Sequence, residues 1–143
     1  MSATGSPLPR GFTLIEALVV VGIAALISGL AFARVETALA AQQFRTTTAC
    51  VALALQQARA GAIRSGAPVI FRVVANGHGY ASAGQPGVML PEAALLRPAQ
   101  RAFISFYPDG TSSGGSLRLL DTAMAVTLSI QPSTGQVIIA ADQ

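Results

Sequence analysis

A single carboxylate interrupts the most apolar stretch of the chain. From Phe12 to Ala33 the sequence reads FTLIEALVVVGIAALISGLAFA, and Glu16 is its only ionisable residue. An unpaired charge held in lipid costs several kcal/mol, so an acid in such a place calls for a partner, and a partner on another molecule makes it an assembly site. The remaining chemistry is sparse. Cys50 is the only cysteine, so no intrachain disulfide can form. Set among Ala49, Val51 and Ala52, it reads as a small buried hydrophobe. His78, the only histidine, lies between Gly77 and Gly79 and reads as an exposed turn residue. Asp109, Asp121 and Asp142 are widely separated, and none belongs to the run of oxygen ligands that a calcium loop requires. No residue context supports a Ser–His–Asp triad. The expectation is therefore no catalytic residue, no metal site and no cofactor.

Composition narrows the class further. Of 143 residues 52% are hydrophobic and 10% charged, with a mean hydropathy of +0.57; soluble domains carry about 25% charged residues. The net charge is +3, and all nine cations are arginines, scattered along the sequence without a run of two. Nucleic-acid binding needs clustered cations that neutralise several phosphates at once, so no nucleic-acid partner is expected.

The elements that must position Glu16 follow from periodicity. Residues 1–11, MSATGSPLPRG, are polar and carry two prolines, with no pattern that would fold. Residues 12–33 would span about 33 Å as a helix against a hydrocarbon core of about 30 Å, long enough for a transmembrane helix. A secretory signal is the alternative reading, but its apolar region is usually 7–15 residues and has no use for an acid. Over 34–66 the apolar side chains keep helical spacing: Phe44, Thr48, Val51, Leu55, Ala58 and Ala62 fall on one face. Gly66 and Pro68 stop the helix near Ser65. Over 67–143 the period changes to two. Strands are expected at 69–75, 102–107, 116–120, 124–130 and 136–140, with turns at 76–79, 108–110 and 132–135 and an irregular connection over 84–101. The fold class is α+β: a long N-terminal helix, its first half membrane-spanning, packed on a C-terminal antiparallel β-sheet domain.

The segment Arg10-Gly11-Phe12-Thr13-Leu14-Ile15-Glu16 ahead of a long apolar helix resembles the leader junction of the type IV pilin superfamily, pilins and pseudopilins alike. The resemblance implies that residues 1–11 are a leader removed by a prepilin peptidase between Gly11 and Phe12, that Phe12 is then N-methylated, and that Glu16 sets subunit register in a filament. Arg10 ahead of the apolar run would keep the N-terminus cytoplasmic and put the C-terminal domain in the periplasm, with the chain anchored once in the inner membrane. A second stretch, Phe106-Tyr107-Pro108-Asp109-Gly110-Thr111-Ser112-Ser113-Gly114-Gly115, is followed later by Thr134-Gly135-Gln136-Val137. Both are similar to the C-terminal region of the H-type minor pseudopilins of type II secretion. The partners implied are the major pseudopilin, other minor pseudopilins and the prepilin peptidase. The alternative is a minor pilin of a type IV pilus, serving pilus assembly or DNA uptake. No such resemblance covers 84–101.

Overall fold

The computed structural model describes residues 12–141, apart from the side chains of residues 30–35. Leu14–Ser65 form one helix, α1. Among the described residues eight strands follow: β1 Val69–Val74, β2 Gly79–Ser82, β3 Val88–Met89, β4 Leu95–Pro98, β5 Phe103–Phe106, β6 Gly115–Leu120, β7 Ala125–Ile130 and β8 Val137–Ala141. The chain divides into two units, residues 1–39 and 40–143.

In the second unit the expected helix face is the buried one. Phe44, Val51, Leu55, Ala58 and Ala62 are all under one-tenth exposed, as is Thr48. The hydroxyls of Thr47 and Thr48 donate to the carbonyls four residues back, Gln43 and Phe44, at 2.9 Å each, so these polar residues enter the core already satisfied. The helix stops where expected. Gly66 takes φ +65° and its N–H donates to the Ala62 carbonyl at 3.1 Å, a left-handed cap that residues with a Cβ adopt reluctantly.

All pairings are antiparallel, but they form two four-stranded sheets where the sequence suggested one. The orders are β3-β2-β1-β5 and β4-β6-β7-β8. Strand alternation sends Phe71, Tyr80, Ile104 and Phe106 of the first sheet into one core with Leu96, Leu117, Leu119 and Leu128 of the second, against the helix face. Phe71 and Tyr80 stack with ring centroids 5.4 Å apart.

Residues 84–101 correct the expectation of an irregular connection. They hold β3, a two-residue edge strand against β2, and β4, which lines up beside β6. Proline hides β4 from sequence reading. Leu-Leu-Arg-Pro ends in Pro98, a residue tolerated in a strand at a sheet edge, which is where β4 lies. β2 begins at Gly79, inside the expected turn. The turn itself is a short 3-10 segment, Ala75–Gly77, in which Ala75 and Asn76 both take positive φ. His78 is exposed at its end, as read from its two glycine neighbours.

Cys50 is the other correction: it is exposed, not buried. It follows the buried Thr48 by two positions, a step that in a 3.6-residue helix lands on the far side, in solvent, while Val51, three positions after Thr48, returns to the core. Burial, and secondarily the nearby Cys50 sulfur, push the Tyr80 phenol above its usual pKa.

Candidate assembly site

The N-terminal unit starts its helix at Thr13. Its hydroxyl accepts the Glu16 backbone N–H at 3.3 Å, and its carbonyl accepts the Glu16 and Ala17 N–H groups at 3.1 and 3.2 Å. Thr13 is thus an N-cap and Glu16 the third helical residue, where an acid also complements the partial positive charge of the helix end. This local role of Thr13 was legible as Thr-x-x-Glu, the capping-box pattern, yet is easily overlooked beside the leader motif.

Beyond the cap, apolar side chains stand in the open. Phe12 is 81% exposed, Leu14 83%, and Ile15, Leu18, Val21, Leu26 and Ile27 are all more than 60% exposed. Glu16 is exposed among them, the only acid on this stretch. Added Cβ atoms at Gly22 and Gly29 would meet nothing within 4 Å, so another helix can approach closely there. A surface this apolar is a contact surface, for lipid or for other helices. Among the described residues no helix is long and apolar enough to cross a membrane. The expected span of 12–33 runs past Gly29 into residues whose side chains lie outside the described set. Gly11, on the leader side of the expected cut, also lies outside it.

In the second unit the two motif stretches converge on one arginine. Arg59 of α1 donates from Nε to the Gly110 carbonyl at 3.2 Å. Gly135, at φ +61°, packs so closely that an added Cβ would stand 2.6 Å from the Gly110 oxygen and 2.9 Å from Arg59 Cδ and Nε. The Asp109 carboxylate accepts the Thr111 hydroxyl at 2.7 Å and the Thr111 N–H at 3.0 Å, and these two bonds hold its carboxyl below the usual range. Ser112 ties the loops together: its N–H donates to the Pro132 carbonyl at 2.8 Å and its hydroxyl to the Gln131 carbonyl at 3.0 Å. The Pro-Asp-Gly stretch therefore leaves β5 of the first sheet, bonds to the β7–β8 turn and enters β6 of the second. Its glycines and serines do structural work. Arg59 as the hub could not be read from sequence, because nothing local distinguishes it from the other arginines.

The remaining candidates stay apart. Asp121 caps its own turn through the Thr122 N–H and hydroxyl, and Asp142 lies outside the described residues. Among the described residues no group of three or more His, Cys, Asp or Glu side chains could hold a metal ion.

Comparison with known proteins decides the family. The profile described as "Type II transport protein GspH" matches residues 47–135, well over half of the chain. The chain belongs to the GspH family. A second profile, "Prokaryotic N-terminal methylation motif", matches residues 9–32, the leader junction and the apolar helix after it. No curated protein sequence matches. Among solved structures, the type IV minor pilin FimU of Pseudomonas aeruginosa is similar in two crystal forms. One superposes with a TM-score of 0.58 at 14% identity, covering 71% of this chain and 90% of FimU; the other gives 0.56 at 16%, covering 69% and 97%. At such identity the likeness speaks for the fold alone, a pilin-like helix on an antiparallel β domain. The GspH match takes in Arg59, Gly110 and Gly135 together, so the loop junction belongs to the family's region of the chain. None of these descriptions is that of an enzyme.

Proposed function

We propose that this protein is a structural minor pseudopilin of a type II secretion system, a subunit of the periplasmic pseudopilus. The observation that carries the reading is the GspH match over residues 47–135, which takes in all of the β domain but its last strand, joined to a methylation motif at the head of an exposed apolar helix. In this reading residues 1–11 are a leader cut after Gly11 by a prepilin peptidase, and Phe12 becomes the N-methylated first residue. Residues 12–33 anchor the chain in the inner membrane, residues 34–66 continue the helix into the periplasm, and residues 67–143 form the outward domain. Glu16 pairs with the terminal amine of a neighbouring subunit, a pairing that compensates its burial and fixes axial register. The major pseudopilin and other minor pseudopilins are its partners.

The likeness to FimU supports a second reading, a minor pilin of a type IV pilus. Deleting the gene and restoring it separates the two. The proposal expects folded exoproteins to accumulate in the periplasm of the deletion strain while surface pili remain. Loss of pili with normal secretion contradicts it.

A further inference from the structure

Among the described residues β3, β5, β4 and β8 stand at the sheet edges, and all but one are blunted. β3 is only two residues long. β4 ends in Pro98, which has no N–H to offer. Along β5 lies Ser113, whose N–H donates to the Ser105 carbonyl at 2.8 Å and whose hydroxyl accepts the Ser105 N–H at 3.1 Å. β8 is the exception. Its sequence, VIIAA, has no charge and no proline, and Ile138 and Ile139 are 44% and 49% exposed, so both of its faces offer apolar surface.

The register shows which backbone groups of β8 are open. The Gln131 N–H donates to the Gln136 carbonyl at 2.9 Å, and the ladder continues from that pair with Ser129 opposite Ile138 and Thr127 opposite Ala140. Hydrogen-bonded pairs alternate with non-bonded ones in an antiparallel ladder. Ile138 and Ala140 therefore bond to β7, while the N–H and C=O groups of Val137, Ile139 and Ala141 point along the free edge. No described residue bonds to them there.

The same edge borders a groove. Ile139 lies opposite the fully buried Leu128 and Ala141 opposite the buried Val126, yet both β8 residues are exposed. The helix face thus leaves the inner side of β8 uncovered. The groove there, about 510 Å³, is lined by Phe44, Arg45 and Ala49 of α1, by Met124 and Val126, and by Ile139, and it lies wholly within the second unit. Arg45 is the only charged residue lining it, is exposed, and makes no hydrogen bond or ion pair with a described residue.

These features select an occupant. A row of free main-chain donors and acceptors is satisfied by another extended backbone, not by a helix or a duplex. Every second side chain of such a strand faces the groove, which suits apolar residues, and a lone guanidinium takes a carboxylate. We infer that an extended segment of a neighbouring filament subunit adds to β8 as a further strand of the second sheet, apolar on its inner side and carrying a carboxylate that meets Arg45. That the partner is a filament subunit rests on the proposed function; strand addition at β8 does not.

The test uses the full chain in detergent micelles at low salt, titrated with a short synthetic peptide of alternating Val and Thr with a Glu at each end. Binding should slow amide hydrogen exchange at Ile139 and Ala141, whose N–H groups are free without it. The same peptide with alternate amides N-methylated should bind roughly tenfold more weakly or worse, as expected for lost hydrogen bonds. Ile139→Pro removes an outward N–H without touching the β7 ladder and should weaken binding by a similar factor. Arg45→Gln should abolish any preference for the Glu peptide over its Gln counterpart. Should Ile139→Pro fail to fold, the N-methylated peptide against the wild-type chain decides. Equal binding of the N-methylated peptide, or no added protection at Ile139 and Ala141, overturns the inference. So does protection of those amides that rises with protein concentration without peptide, since a second copy would then be the occupant. Secretion and pilus readouts of the deletion strain are untouched by these results, so failure here is distinct from failure of the proposed function.

Discussion

Replacing Glu16 by Ala is expected to lower incorporation into the filament roughly a hundredfold while leaving the protein in the membrane fraction. The proposed partner is the terminal amine of a neighbour, and removing one member of a buried pair leaves the other uncompensated. That penalty is about 3 kcal/mol or more, and about 1.4 kcal/mol corresponds to tenfold. The structure supplies a competing role that a single substitution would confuse with this one. Glu16 is the third residue of a helix capped by Thr13, and an acid there helps the helix start. Glu16→Gln separates the two, because Gln serves in a capping box but carries no charge. The account predicts that Gln fails as badly as Ala when cross-linking to the major subunit is quantified. A Gln variant that assembles like wild type would reduce Glu16 to a capping residue.

The second large effect is expected at Gly135. Its φ of +61° alone would cost a residue with a Cβ about 1–2 kcal/mol. Its Cβ would also meet the Gly110 carbonyl at 2.6 Å, an atom of the backbone that is already bonded to Arg59. The two motif loops and the helix must therefore separate to admit a methyl group. We predict that Gly135→Ala destabilises the protein by about 3 kcal/mol, equivalent to a fall in unfolding temperature on the order of 15 °C for a domain near 100 residues. Gly84→Ala is the control. Gly84 has φ +83° but open space around it, so it should show the conformational cost alone. Equal effects at the two positions would mean that the close approach of Gly110, Arg59 and Gly135 contributes nothing.

These two residues mark what could and could not be read from the sequence. Glu16 was visible because it stands as the one charge in an apolar helix, and the helix face from Phe44 to Ala62 was visible because apolar positions repeat every three or four residues. Strands with alternating or unbroken apolar runs, such as β1 and β7, were legible to within a residue or two. β3 and β4 were not, since two residues carry no period and a Pro-terminated strand imitates a loop. Cys50 was misjudged because small apolar sequence neighbours are not spatial neighbours in a helix. The Arg59 junction arises from a contact between residues 51 positions apart, and no local pattern records it. The motif loops were recognisable as turns, but their role in joining the two sheets required the fold.

The central claim is that this chain is a processed subunit of a membrane-anchored filament, and the mass of its mature N-terminus tests that most directly. Protein purified from membranes of the native host, digested and analysed by mass spectrometry, is predicted to begin at Phe12 and to carry one added methyl group on that residue's amine. An unprocessed chain beginning at Met1 or Ser2, or one beginning near Ala40 as after a secretory signal, would contradict the account.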